Sequence, residues 1–289
     1  IYWYKFMKDK CVLVTGSSSG IGKAITAKLL DLGAKVVGIS RDHKKSIIQH
    51  DNYITYTLDI SDIHNLEKNI KLILKDHPKI NGLVSNAGNG EFGPLENFSV
   101  DQINNFISMN LTSHLIITKG LLPHFKKIKK GDIIFIGSEA GLSGAKNGSL
   151  YCSSKFGLRG FAQSLSKDVA SNNIRVCIIN AGMVRTNFFD NLNFLPGDDP
   201  ENAISVDDIS NSVANILTLN RKNITGANKI ELLKKGNKQA LLIGDYHYHF
   251  KKEGCSVLSL KKTMLVPEFI EKIIKTHDDK NWDFYFEQG

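Results

Sequence analysis

From Lys10 to Leu233, short apolar runs alternate with longer segments whose apolar residues recur every three or four positions. This alternation restricts the fold more than any other feature. Short strands that are apolar on both faces need cover on both sides, and helical crossovers supply it. Residues 11–14, 35–39, 53–58, 82–85, 132–137, 174–179 and 228–233 read as strands. Helical spacing falls between them, over 21–32 (ended by Gly33), 66–74 (halted by Pro78), 101–110, 111–125, 151–170 and 206–219. Right-handed crossovers make this an α/β fold: a doubly wound, Rossmann-type parallel sheet of about seven strands with helices on both faces. Its ligand belongs beyond the carboxyl ends of the strands. The stretch 188–202, aperiodic and containing Pro196, Gly197 and Pro200, predicts a mobile loop.

The 289 residues divide by the same reading into a lead (1–9), a doubly wound domain (10–233) and a tail (234–289). Met7 reads as the natural start. In the tail, Phe269, Ile270, Ile273 and Ile274 follow Pro267 at helical spacing and predict one amphipathic helix. A composition of 42% hydrophobic and 23% charged residues excludes disordered, collagen-like and disulfide-scaffold classes. No apolar run approaches the roughly 20 residues of a membrane-spanning helix. The net charge of +8 raises nucleic-acid binding as a reading. The lysines are scattered, however, and no RNA-binding aromatic motif, zinc-finger spacing or basic heptad array accompanies them. A solvated basic surface around one anionic small-molecule site accounts for the charge, with no nucleic-acid partner. The four cysteines are far apart, with no CxxC pair, which suits a reducing, cytoplasmic setting. His247 and His249 lack a third ligand of suitable spacing, so no metal is expected.

The first strand runs into Thr15-Gly16-Ser17-Ser18-Ser19-Gly20-Ile21-Gly22. Glycines at these positions let the backbone turn tightly and approach a pyrophosphate, which then rests on the positive end of the following helix. Gly16, Ser18, Ser19, Gly20, Ile21 and Gly22 are therefore candidate nucleotide contacts. Tyr151 and Lys155 are four apart on a predicted helix, one turn apart on the same face. The lysine ammonium is expected to favour the ionised phenol and to lower its pKa from the usual value of about 10.

Thr15–Gly22, Ser85-Asn86-Ala87-Gly88 and Tyr151-Cys152-Ser153-Ser154-Lys155 together resemble the short-chain dehydrogenase/reductase family over roughly residues 8–233. Ser138 stands 13 residues before Tyr151, and Asn110 lies in Met109-Asn110-Leu111-Thr112-Ser113, as the family pattern asks. The resemblance implies an NAD(P)-dependent oxidoreductase that interconverts a carbonyl and a secondary alcohol by hydride transfer. It makes Tyr151 the acid/base and Ser138 the stabiliser of charge on the substrate oxygen. It also has Lys155 hold the nicotinamide ribose, and Asn110 a water that relays protons. Asp59 and Ile60 take the adenine-side position, and Asn86, Ala87 and Gly88 line the cofactor. Asn180-Ala181-Gly182-Met183-Val184-Arg185-Thr186 departs from the family's Asn-Pro-Gly-x-Val-x-Thr at Ala181, a change expected to loosen the turn while Gly182, Val184 and Thr186 still reach the cofactor. A nucleotide-binding regulatory protein without catalysis is the alternative reading.

Cofactor choice turns on the end of the second strand. NAD-preferring members of this fold place an acid there for the ribose hydroxyls. Here Ser40 occupies the position and Arg41, a planar cation suited to phosphate, follows it. This favours NADP(H) over NAD(H), with two counter-arguments: Asp42, and Ser19 where many NADP-using members of the family this chain resembles carry Arg or Lys. Phe92, Leu142, Met183, Phe188, Phe189, Leu192 and Phe194 make the substrate loops apolar, so a largely apolar carbonyl or alcohol is expected. A homodimer or homotetramer is the expected assembly.

Overall fold

A computed structural model describes residues 7–44, 46, 48–190, 192–196 and 203–218, with the strands Asn228–Lys234, Gln239–Ile243, Tyr248–Lys251 and Asp283–Phe286. In chain order the strands are β1 (Cys11–Thr15), β2 (Lys35–Ser40), β3 (Tyr53–Thr57), β4 (Gly82–Ser85), β5 (Gly131–Ser138), β6 (Ile174–Ala181), β7 (Asn228–Lys234), β8 (Gln239–Ile243), β9 (Tyr248–Lys251) and β10 (Asp283–Phe286). The helices are α1 (Gly20–Asp31), α2 (Ile63–Asp76), α3 (Val100–Ile107), α4 (Ser113–Ile128), α5 (Ser149–Asp168) and α6 (Val206–Thr218).

β1 to β8 form one eight-stranded sheet in the order β3-β2-β1-β4-β5-β6-β7-β8. The first seven strands of the chain are mutually parallel, as the alternation predicts. β8 adds an antiparallel edge beside β7, so the sheet extends past the expected boundary at residue 233. β9 and β10 pair with each other antiparallel. The amphipathic stretch 269–274 lies outside the described residues. The chain winds from β1 outward to β3, then returns to place β4 on the other side of β1. The crevice for a ligand opens at that reversal, between the loops that follow β1 and β4.

Each strand feeds two cores because successive side chains point to opposite faces. Val12, Val14, Ile134, Ile136 and Ile179 pack with Ile25 and Leu29 of α1 and Ile209 and Val213 of α6. Leu13, Val37, Leu83, Ile133 and Phe135 pack under α2, α4 and α5 through Leu66, Ile70, Ile117, Leu121, Phe125 and Leu158. Local signals fix the helix ends. The Asp62 carboxylate accepts the Asn65 N–H at the start of α2, and Ser99 and Gln102 form a reciprocal capping box on α3. Gly33, with φ 86°, takes the left-handed conformation just past α1.

The amino ends of the central strands are tied by charge. Asp132, at the start of β5, is fully buried and accepts from Lys10 Nζ at 2.8 Å and from Arg175 Nε on β6 at 3.0 Å. Beside it the Asp132 N–H donates to the Asn81 carbonyl, and the Asn81 side chain bridges Cys11 and Asp9. Net stabilisation by a buried ion cluster is small, but removing its centre strands two desolvated cations. Asp132→Ala is expected to lower unfolding stability by about 3–5 kcal/mol, read as a drop in the chemical-denaturation midpoint. Wild-type stability in that variant would show that solvent, not Asp132, balances Lys10 and Arg175.

Candidate functional site

The loop between β1 and α1 is shaped by backbone space. Gly16 and Gly20 hold φ values of 68° and 51°, the left-handed region open to glycine. A Cβ on Gly22 would fall on the Gly16 carbonyl and lie 2.6 Å from Asn86 Nδ2. The loop after β4 closes against it, since the N–H groups of Asn86 and Ala87 donate to Thr15 Oγ1 at 2.9 and 3.0 Å, and Asn86 Nδ2 donates to the Thr15 carbonyl at 3.0 Å. Ser19 is exposed at the start of α1, and its side chain makes no capping hydrogen bond. Ile21 packs into the core beneath. Thr186, after β6, stands beside Gly20, where a Cβ would meet it at 3.5 Å. Three strand-end loops thus meet around one narrow, glycine-lined cradle. An extended dinucleotide fits this cradle because its walls are main chain that any side chain at 16 or 22 would fill.

The end of β2 differs in detail from the sequence expectation. Ser40 is buried; its hydroxyl donates to the Ile39 carbonyl at 2.7 Å and accepts the Ser18 N–H at 3.1 Å. It shapes the glycine loop rather than pointing outward. Arg41 is exposed beyond it, and the Asp42 carboxylate is engaged by the Lys44 N–H at 2.8 Å. Asp59 accepts from the N–H and hydroxyl of Ser61 at 2.9 and 2.7 Å, an Asx turn. Partial burial pushes its carboxyl up, but the Ser61 bonds and the charge of Arg41 outweigh this and hold it below the usual value. Ile60 is buried in the core under α2, which leaves only its main chain to a ligand.

Ser138 ends β5, where its hydroxyl accepts the Ala140 N–H at 3.2 Å. Tyr151 and Lys155, on the first turns of α5, are only 8% and 6% exposed. Lys155 Nζ lies 5.7 Å from the centroid of the Tyr151 ring and donates to the Ile136 carbonyl at 3.3 Å. Burial dominates both groups in the protein alone. It pushes Tyr151 up to about 12, against the pull of the Ser138 hydroxyl, and Lys155 down to about 8. The lowered tyrosine expected from the spacing is therefore reversed. The ammonium donates to main chain, and burial of the phenol sets the direction of the shift.

Asn110 is fully buried in a π-helical turn, Ser108–Thr112, that joins α3 to α4. Its Oδ1 accepts the Asn89 N–H at 3.0 Å, and its Nδ2 donates to Asn89 Oδ1 at 2.6 Å and to the Phe106 carbonyl at 3.1 Å. A Cβ on Gly88 would sit 2.7 Å from Asn110 Oδ1. Beyond β6, Val184 bridges to Ile204, and Gly182 approaches Glu139. Ala181 keeps an N–H that proline lacks, and β6 runs through it, paired with Ser138 on one side and Leu232 on the other. The last residue of β6 is thus Ala181 itself, just before Gly182.

Sequence reasoning passes over His114. It is fully buried, its Nδ1 sits 2.6 Å from Ser85 Oγ, and burial and the charge of Lys155 hold its pKa down to about 3. Its spacing four residues after Asn110 was the available signal. Among the described residues, no group of three His, Cys, Asp or Glu could hold a metal ion, and no helix is long and apolar enough to cross a membrane.

Residues 10–194 match the family model of short chain dehydrogenases, and the chain belongs to that family. It is an NAD(P)-dependent oxidoreductase of the short-chain type. The 3-oxoacyl-(acyl-carrier-protein) reductase FabG of Buchnera aphidicola subsp. Acyrthosiphon pisum is 36% identical over 184 residues, covering 62% of this chain and 75% of that protein. The 3-ketodihydrosphingosine reductase of Bacteroides thetaiotaomicron is 29% identical over 187 residues, 65% of this chain and 68% of that one. A metagenomic short-chain oxidoreductase solved in complex with NADP superposes with a TM-score of 0.67 at 28% identity, covering 78% of this chain and 99% of that chain. The 3-ketoacyl-(acyl-carrier-protein) reductase from Brucella melitensis shares the fold with a TM-score of 0.70 at 23% identity, over 77% of this chain and 96% of that chain.

The cradle predicts its own most sensitive position. Gly22→Ala is expected to weaken dinucleotide binding by about tenfold or more, equivalent to about 1.4 kcal/mol, in a fluorescence titration, with circular dichroism unchanged. Binding as tight as that of the wild type would mean that the dinucleotide does not approach this turn.

Proposed function

We propose that the enzyme interconverts a largely apolar carbonyl compound and its secondary alcohol, with Tyr151 transferring the proton. The observation that carries this reading is the convergence of Ser138 and Lys155 on the buried Tyr151 at the carboxyl end of the sheet. When bound in the glycine-lined cradle, a dihydronicotinamide would supply the hydride. Tyr151 gives its proton to the carbonyl oxygen as negative charge develops there, and Ser138 donates a hydrogen bond to the same oxygen. With its pKa at about 12, Tyr151 holds that proton throughout the neutral range, which suits the reductive direction. Lys155 keeps positive charge near the phenolate left behind while the pH stays below about 8. Asn110, whose side chain is taken up by Asn89 and Phe106, fixes the loop beside the relay water that the family resemblance implies.

NADP(H) is the cofactor of this reading, held by Gly16, Ser18, Ser19, Gly20 and Gly22, by the Asn86–Gly88 loop, and by Gly182, Val184 and Thr186. Support comes from the exposed Arg41 just past β2, where Ser40 stands in place of an acid and the Asp42 carboxylate is engaged by the Lys44 N–H. The metagenomic oxidoreductase was solved with NADP and the Brucella melitensis reductase with NADH, so the choice between them rests on Arg41. A cytoplasmic setting is in keeping with the buried free thiols of Cys11, Cys152 and Cys177. A homodimer or homotetramer is supported by a groove on α4 and α5 lined by Leu115, Leu122, Pro123 and Phe161 and edged by Lys119 and Lys126.

Tyr151→Phe is expected to reduce turnover about 10²–10⁴-fold with dinucleotide affinity retained. In the wild type, kcat/KM for reduction should be level through neutral pH and decline above about 8, where Lys155 loses its charge. A variant with near-normal turnover removes Tyr151 from the chemistry. Arg41→Ala is expected to raise KM for NADPH far more than KM for NADH. Equal effects on the two cofactors, or tighter wild-type binding of NADH, overturn the cofactor assignment.

A further inference from the structure

Five aromatic rings close into a circuit at the catalytic tyrosine. Tyr151 lies 5.0 Å from Phe92, Phe92 4.9 Å from Phe194, Phe194 5.8 Å from Phe189, Phe189 5.2 Å from Phe188, and Phe188 5.9 Å from Tyr151, between ring centroids. Phe189 is buried, but Phe92, Phe188 and Phe194 are partly exposed and are carried on loops. The Phe188 ring is seated where Gly90 leaves room: a Cβ at position 90 would stand 2.8 Å from its Cε1 and 3.1 Å from its Cε2. The ring therefore fills an aromatic-lined slot, its tip against the Gly90 backbone and its plane turned 58° from Tyr151 and 77° from Phe189. The Phe188 ring borders the phenol from which a carbonyl compound would take its proton, 5.9 Å away between ring centroids.

We infer that Phe188 occupies the slot of the substrate's own apolar group, and that the enzyme selects carbonyl compounds carrying a flat, ring-sized group beside the carbonyl. This rests on the proposed carbonyl chemistry at Tyr151. Offset and edge-on ring contacts favour a planar substituent over a flexible chain of equal carbon number. The slot is self-occupied, so each ligand competes with Phe188. Its apparent affinity is reduced by the fraction of molecules in which the slot is filled. The main chain of Phe188 is anchored through its N–H to Thr186 Oγ1 at 3.3 Å, beside Gly20 of the cofactor cradle, so the ring can leave while its backbone stays.

Removing the competitor tests this. Acetophenone and 2-octanone, with eight carbons each, are compared as substrates with NADPH, and as ligands by calorimetric titration with and without NADP+. Phe188→Ala is expected to lower KM and Kd for acetophenone about tenfold and those for 2-octanone much less, with KM for NADPH unchanged. Phe188→Leu, which keeps apolar bulk without the ring, gives an intermediate gain and serves if the alanine variant fails to fold. Weaker acetophenone binding in these variants, or equal gains for both ketones, overturns the inference. A wild type that binds acetophenone but reduces no carbonyl overturns the proposed reaction and leaves the slot standing on the titrations.

Discussion

One hydroxyl holds the two halves of the crevice together. Thr15 Oγ1, at the last residue of β1, accepts the N–H groups of both Asn86 and Ala87 at the end of β4. Those strands are neighbours at the point where the strand order reverses, so their connecting chains leave in opposite directions and would otherwise part. The bonds draw the second loop over the first until Asn86 Nδ2 lies where a side chain on Gly16 or Gly22 would be. The narrowness of the cradle follows from this approach, as does the need for glycine on its floor. The placement of Asn110 follows too, because Gly88 and Asn89 of the same loop are what it touches.

The two ends of the sheet divide the work. At the amino end, the buried Asp132 carboxylate is shared by Lys10 and Arg175 in a desolvated cluster. At the carboxyl end, Tyr151 and Lys155 are buried, and their pKa values move away from the charged forms. The first arrangement is held by its own charges. The second keeps Tyr151 protonated and leaves Lys155 easier to discharge than a surface lysine. The same physical term, desolvation, is answered at one end and left available for chemistry at the other.

Much of this was legible in the sequence, for reasons that are local. Strand and helix periodicities carried the parallel sheet, and boundaries such as Gly33 were marked by single residues. The glycine loop was readable because its conformational demand falls on the residues that meet it. Tyr151 and Lys155 share a helix face by spacing alone. What spacing could not carry was the direction of the tyrosine's shift, because that depends on how deeply the folded chain buries it. Ser40 was placed correctly along the strand, but its hydroxyl turns inward to Ser18, a contact between segments 22 residues apart. Phe92, Phe188, Phe189 and Phe194 were readable as apolar loop residues, but their closure into one circuit with Tyr151 joins segments far apart in the chain. β8 escaped because 239–243 follows a break in the helix–strand alternation and joins the sheet antiparallel.

The π-helical turn at Ser108–Thr112 sets a rotational phase. An α-helix advances about 100° per residue, and the wider turn shifts by one residue the angle at which everything after it emerges. Before the turn, Phe106 packs against Tyr151; within it, Asn110 meets the loop after β4; after it, His114, Ile117 and Leu121 face the sheet. Bending or sliding can absorb a change in length, but angular offset comes only in whole residues. Evolution can thus alter side chains along α3 and α4 one at a time, while a single-residue insertion or deletion between Phe106 and His114 would turn the active-site side and the core side of one continuous rod out of step with each other.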